Sequence, residues 1–319
     1  MTPFTPIRAE SVTAHGELRL IAEIRRWLGN VSPRAPFGIG DDCAVIPPTK
    51  NQQLVTTDPV IYGQHFDDTV PPRAVGAKLL KRNLSDIAAM GGRPVAAVVS
   101  LALAPDTSVT WLRGFYLGLA ACARRYGVKI VGGDITQGPK GFFGAFLTLH
   151  GESTGRRVVT RGGAGPGDYL YVTGSLGGSR LRHHYAFAPR LAEGAWLAKR
   201  PEVCAMMDLS DGLAKDLKAL TPAGLTPALI AAAIPISAAA RRCARASRQS
   251  PLAHALGDGE DYELLIVVRR RSDAAALGRT WKKRFPKLKL SLIGTFTRKD
   301  KMPAGALRLV DYHGYEHLR

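Results

Sequence analysis

A continuous apolar run, Val95 to Ala104, stands between two helix-patterned stretches that each stop at glycine, and this alternation confines the first half of the chain to a mixed α/β or α+β arrangement. Val75 to Met90 reads as a helix terminated by Gly91 and Gly92, and Thr107 to Tyr126 as a second helix ending at Gly127. Leu54 to Thr57, Val128 to Val131 and Phe142 to His150 supply shorter strands. The Gly- and Arg-rich run Arg156 to Asp168, with Pro166, reads as a junction ahead of a strand at Tyr169 to Thr173. The expected division is therefore an N-terminal domain, residues 1–152, and a C-terminal α+β domain, residues 153–319. In the latter, strands are expected at Ala205 to Asp208, Glu263 to Val268, Leu288 to Phe296 and Leu307 to Val310.

At 319 residues and 45% hydrophobic composition, two cores of ordinary size can be buried. Met1 to Glu10 has no apolar leader core, and the longest apolar stretch, Ala223 to Ala240, is broken by Pro227 and Pro235; the expectation is a cytoplasmic protein with no membrane segment. Cys43, Cys122, Cys204 and Cys243 stand far apart without a CxxC pair, which reads as reduced, structural cysteine. The formal charge of +18 gathers in Arg241 to Arg248, Arg269 to Arg271 and Lys282 to Lys289 with little aromatic interleaving, as expected of a solvated basic face.

Against that positive background the acids are informative. Five segments set aspartate beside glycine, serine or threonine: Gly38 to Asp42, Thr56 to Asp58, Asn83 to Asp86, Gly132 to Asp134 and Asp208 to Gly212. Singly, each is a common turn or cap. Together they are what a magnesium–nucleotide site requires, because Mg²⁺ takes oxygen ligands from separate loops and strand ends. Asp86 falls in the last turn of its expected helix, where the macrodipole disfavours a carboxylate unless a cation is near. Asp208 and Asp211 flank Ser210 between an expected strand and a helix start near Gly212, where backbone N–H groups can receive phosphate oxygens. There is no GxxxxGK[ST], no GxGxxG and no HRD or DFG set, which excludes the standard P-loop and protein-kinase folds.

With these segments in place, the chain resembles the thiamine-monophosphate kinase family of the aminoimidazole ribonucleotide synthetase-like superfamily. The resemblance is carried by GIGDDCAV (38–45), TTD and GQHF (56–66), KRNLSDIAAMGGRP (81–94), VGGDITQGP (131–139), RGGAGPGD (161–168), DLSDGL (208–213), GEDYEL (259–264) and GYEH (314–317). It implies a two-domain fold in which N-terminal domains pair strands across a homodimer. It also implies direct, in-line transfer of the γ-phosphoryl group of ATP to thiamine monophosphate. Carried over by position, the Mg²⁺ ligands would be Asp42, Asp58, Asp86, Asp134, Asp208 and Asp211, with Thr57 a further ligand and Thr56 supporting them. Thr56, Thr57, Gly133, Asp134, Arg161 and Ser210 would contact the nucleotide, and Asp86, Asp134 and Asp211 would be catalytic. His65, Glu260 and Tyr315 would face the thiamine; without the resemblance they read as an interior histidine, a surface acid and a packing aromatic.

Four features depart from the resembled pattern. Leu176 to Val203 is short, Gly178 stands where Asp is common, Asp258 replaces the first glycine of GGEDYEL, and Pro59 after Asp58 is unusual. The chemistry implied needs no strong general base, because the acceptor is an ionised phosphate; the obstacle is anion repulsion, which metal ions and cations such as Arg161 would relieve. Two alternatives stand beside this: another ATP-using enzyme of the superfamily, and a basic nucleic-acid-binding protein on an inactive scaffold. The absence of a cysteine among the last residues, Tyr315 to Arg319, argues against a hydrogenase-maturation protein, and retention of every candidate ligand argues against nucleic-acid binding.

Overall fold

A computed structural model describes residues 1–34, 37–39, 44–155 and 157–316. The chain forms two compact units, Met1–Ile87 with Arg93–Ser153, and Ala88–Gly92 with Thr154–Arg319. Among the described residues, no helix is long and apolar enough to cross a membrane.

The first unit holds strands β1 (Gln53–Ile61), β2 (Gly92–Leu103), β3 (Lys129–Gln137) and β4 (Phe143–Ser153) in the order β1-β4-β2-β3. β1 and β4 are antiparallel, and β2 and β3 are parallel. Its helices are α1 (Val12–His15), α2 (Glu17–Leu28), α3 (Pro72–Ala89) and α4 (Val109–Tyr126). α4 begins two residues later than the sequence pattern suggests because Ser108 caps it, its hydroxyl accepting from Trp111 N–H; it ends at Gly127 in the left-handed region. Phe66, Trp111, Phe115 and Phe143 make the aromatic centre of this unit's core. β1 runs four residues past the expected Thr57, through Pro59, which an outer strand tolerates because a missing N–H there leaves no ladder bond to break.

The second unit holds β5 (Tyr169–Thr173), β6 (Val203–Asp208), β7 (Leu225–Leu229), β8 (Leu264–Val268) and β9 (Leu290–Arg298) in the order β6-β8-β5-β9-β7, with antiparallel neighbours throughout. Helices α5 (His183–Ala186), α6 (Leu191–Ala198), α7 (Leu213–Leu220), α8 (Ala238–Ala246), α9 (Pro251–Gly257) and α10 (Ala274–Arg284) complete it. One face of the sheet packs Leu170, Val172, Leu265 and Val267 against Leu213 and Leu217 of α7; the other packs Tyr171, Ile266 and Val268 with Leu197 of α6 and Trp281 of α10. Burial on both faces explains why Leu264–Val268 is apolar without alternation.

In the second unit one strand is unexpected, and one expected strand does not form. β7, hidden in sequence by Pro227, is an edge strand. Leu307 to Val310 makes only a single bridge from Leu307 to Leu229 and then a 3-10 turn, Leu309–Asp311, that presses Leu309 onto the core.

Candidate active site

In the first unit, β1 and α3 build an acidic corner. Thr56 and Asp58, two residues apart on a strand, share one face, opposite buried Leu149 and Leu147 of β4. Arg82 and Asp86, four apart on α3, share one helical face. The two faces meet: Thr56 Oγ1 donates to Asp86 Oδ2 at 2.5 Å, and Arg82 Nη2 pairs with Asp58 Oδ1 at 3.1 Å. The Arg82 guanidinium that pairs with Asp58 is itself nearly buried. The donor set here, two carboxylates and a hydroxyl, suits a hard oxygen-seeking cation such as Mg²⁺.

The remaining first-unit candidates stand elsewhere. Thr57 points to the opposite face of β1 from Thr56; its hydroxyl donates to Leu147 O at 3.1 Å. Asp134 lies on β3 beside Ser100, both exposed. Because β1 and β3 are the two ends of the sheet order, the strand carrying Asp134 lies three strand spacings, about 14 Å across the sheet, from the strand carrying Asp58. Gly133 is required by the sheet: a Cβ there would stand 2.1 Å from Val99 O on the neighbouring strand. Gly133 and Asp134 border a cleft of about 510 Å³ shared with Ile21, Ile24 and Tyr116. His65 is oriented by its own turn, Nδ1 accepting from Ile61 N–H at 3.1 Å while Lys78 Nζ donates to its carbonyl at 2.7 Å. Asp42, with Asp41 and Cys43, lies outside the described residues, as does His317.

In the second unit, three sequence segments converge at one end of the five-stranded sheet. Asp208 closes β6, and residues 209–212 lead into α7. Segment 259–263 runs beside them: Glu260 N–H donates to Ser210 O, Tyr262 N–H to Leu209 O, and Leu209 N–H to Glu263 O, at 2.7, 2.7 and 2.9 Å. Tyr315 is stitched to the same loop, its N–H donating to Asp211 O at 2.9 Å and its carbonyl accepting from Lys215 Nζ at 2.7 Å. Lys215 also pairs with Asp211 at 2.8 Å, which raises the lysine pKa. Ser210, Asp211, Glu260 and Tyr315 therefore belong to one constellation. Arg161 is exposed in the same unit.

Two acids without an obvious role in the sequence pattern shape this site. Asp216, buried in the first turn of α7, accepts from Asp211 N–H at 3.0 Å. Burial first, and then the charges of Asp208 and Asp211, push its pKa up to about 7. An amide expected to receive phosphate is thus already answered from within, and the loop presents carboxylates instead. Three acids, Asp208, Asp211 and Asp216, thus stand within nine residues, one of them paired with Lys215. An acid five residues past Asp211, in the first helical turn, was the available signal.

Asp261 is the second. It lies between Glu260 and Tyr262, which both adopt left-handed backbone, φ 53° and 51°, a conformation costing of order 1–3 kcal/mol each outside glycine. Glu260 accepts from Tyr262 OH at 3.2 Å and faces His184 Nδ1 at 3.6 Å. Asp261 Oδ1 accepts from Gly177 N–H at 2.8 Å, while its Oδ2 is buried without a hydrogen-bond partner among the described residues. Burial, ahead of the charges of Glu263 and Asp258, lifts its pKa well above the ordinary carboxylate value. The proton held in the folded state is a stabilising term, complete below the unfolded value near 4 and lost as pH rises toward the folded one. Asp261→Asn keeps the Gly177 acceptor and cannot ionise, so its thermal stability is expected to fall less than the parent's as pH is raised from about 4 to 8. Parallel melting curves for the two proteins would refute this.

The two departures Gly178 and Asp258 touch each other: Gly178 N–H donates to Asp258 Oδ2 at 2.7 Å.

Residues 40–152 match the family described as AIR synthase related protein, N-terminal domain. The chain is 34% identical over 278 residues to thiamine-monophosphate kinase of Escherichia coli strain K12, covering 80% of this chain and 83% of that one. It is 36% identical over 261 residues to the enzyme of that name in Rhodopirellula baltica, covering 78% and 81%. The solved structure of AaThiL complexed with AMPPCP and TMP superposes with a TM-score of 0.70 at 28% identity, over 95% of this chain and 97% of that one. Agreement of this extent, spanning both acid-bearing units rather than one shared motif, places the chain in the thiamine-monophosphate kinase family.

Proposed function

We propose that this protein transfers the γ-phosphoryl group of ATP to the phosphate of thiamine monophosphate, giving thiamine diphosphate and ADP by direct in-line displacement. The observation that carries this reading is the second-unit constellation, in which Ser210 and Asp211, just past Asp208 at the end of β6, are bonded through the backbone to Glu260 and to Tyr315 respectively. The family relatives support it, as does a relative's structure with an ATP analogue and TMP.

Asp58, Asp86, Asp208 and Asp211 would hold Mg²⁺, with Asp42 and Asp134 as further ligands and Thr56 supporting; Thr57, on the other face of β1, stands outside the Asp58 and Asp86 set. The ions would supply charge neutralisation between two mutually repelling polyphosphates. The protein's own groups do the rest. Thr56 holds the Asp86 carboxylate in one orientation. Arg82 shields Asp58 until a stronger cation competes for it. Ser210 and Gly133 would lie against the nucleotide and Arg161 would face its phosphates. No side chain is needed to remove a proton, because the acceptor oxygen is already ionised near neutral pH.

Homodimerisation through strand pairing belongs to this reading: β1 and β3 are both sheet ends, with Asp58 on one and Asp134 on the other. Light scattering at assay concentration should give the mass of two chains; a single-chain mass removes this element. The reaction itself is tested by incubating purified protein with ATP, magnesium and thiamine monophosphate. Stoichiometric thiamine diphosphate and ADP are expected, and ADP release without thiamine diphosphate would overturn the assignment.

His65, Glu260 and Tyr315 would contact the thiamine. Tyr315 is 46% exposed with its backbone anchored at Asp211, as suits a ring that meets a ligand. Tyr315→Ala is expected to raise KM for thiamine monophosphate roughly 3- to 10-fold, the value of one aromatic stack, with little change in kcat. An unchanged KM would remove Tyr315 from the substrate site.

A further inference from the structure

Helices α8 and α9 bring three side chains of different donor type together where the proposed reaction places none. His254 and Asp258 are four residues apart on one side of α9, and Cys243 lies on α8. One ligand atom from each, the thiol sulfur, an imidazole nitrogen and a carboxylate oxygen, lies within 4.8 Å of the other two. His254 is 8% exposed, and Cys243 carries a free thiol.

The surrounding hydrogen bonds are those that orient ligands. His254 Nε2 meets Ser247 Oγ at 2.8 Å, which fixes the ring and turns Nδ1 toward Asp258, 2.9 and 3.1 Å from its two carboxylate oxygens. Asp258 Oδ2 is anchored by Gly178 N–H, leaving Oδ1 to turn inward. Tetrahedral zinc bonds of about 2.0–2.3 Å need neighbouring ligand atoms roughly 3.3–3.8 Å apart, so closing this group asks for side-chain rotation of about an ångström rather than backbone movement.

We propose that Cys243, His254 and Asp258 form a binding site for a divalent ion of the zinc type, with its fourth position open to water. Thiolate, imidazole and carboxylate together favour zinc over magnesium or calcium, which take oxygen alone. Binding displaces the Cys243 thiol proton, which leaves to solvent, and takes His254 as a neutral imidazole ligating through Nδ1 with its ring proton on Nε2 facing Ser247 Oγ. Arg241, Arg242, Arg245 and Arg248 on and after α8 add positive charge nearby, so affinity below that of a closed four-ligand site is expected. The ion would clip α8 to the end of α9, two residues before Glu260.

The test uses the whole chain, freed of metal with a chelator and held in excess Mg²⁺ so that oxygen-only sites are filled. Titration with Co²⁺ should give thiolate-to-cobalt charge-transfer absorption at one equivalent, abolished by Zn²⁺, absent from Cys243→Ser and Cys243→Ala, and at least roughly 10-fold weaker in Asp258→Asn. Zn²⁺ should raise the melting temperature of the parent but not of the position-243 variants, which are expected to keep their Mg²⁺-dependent activity. No charge-transfer band in the parent, or a band that persists without Cys243, overturns the proposal. Two replacements at 243 guard against one that fails to fold.

Discussion

Asp86→Asn is expected to lower kcat/KM for thiamine monophosphate by roughly 10²- to 10³-fold while the protein stays as stable as the parent or gains about 0.3–1 kcal/mol. The two effects have one origin. Asp86 sits in the last turn of α3, at the negative end of the helix, where an anion is disfavoured unless a cation answers it. The amide keeps an oxygen to accept from Thr56 Oγ1, so the local geometry survives while the charge is lost. Thr56→Ala leaves the charge and removes only its orientation, and a smaller loss of about 10-fold is expected. Steady-state kinetics with thermal melts separate the readings. A structural role for Asp86 predicts that stability and activity fall together, whereas a metal-holding role predicts that they part; normal turnover in Asp86→Asn would eliminate the latter.

What could be read from the sequence was local. The glycine stops of the helices, the apolar strand Val95 to Ala104 and the acid-bearing turns are each written in a few adjacent residues, and so is a resemblance built from short stretches in order. What escaped depends on which chain segment packs on which. Alternation along β1 already separates Thr56 from Thr57, but only the partner strand shows which face is covered. The placing of Asp134 and Asp58 on opposite end strands, about 14 Å apart across the sheet, follows from sheet order, which no local pattern encodes. Asp216 and Asp261 look in sequence like ordinary helix-start and loop acids; their raised pKa values arise from burial beneath segments distant in the chain. Asp258 reads as a departure from a glycine position and becomes intelligible only when Gly178 is found donating to it.

The same distinction identifies the other large effect. Glu263 is the last acid of GEDYEL, and as a motif residue it invites a place among the substrate contacts. Its surroundings give it a structural role instead. It is 2% exposed, gripped by Arg190 through Nε at 2.8 Å and Nη2 at 2.5 Å, and bonded by Thr173 Oγ1 at 2.6 Å. Gly174 leaves the space it fills, since a Cβ there would stand 2.0 Å from Glu263 Oε1. Removing Arg190 strands a buried carboxylate with one neutral donor, so Arg190→Ala is expected to cost about 3–5 kcal/mol, a fall in melting temperature on the order of 10 °C. Pairing Arg190→Met with Glu263→Gln removes both charges at once and should restore most of that loss, because desolvation then falls on no ion. The ion pair also bears on the strained backbone of Glu260 and Tyr262, which lies immediately before it. KM for thiamine monophosphate should therefore rise in Arg190→Ala even at temperatures where the protein remains folded. A loss under about 1 kcal/mol would show that Glu263 is solvated in the working protein and that its part in GEDYEL is something other than holding the segment in place.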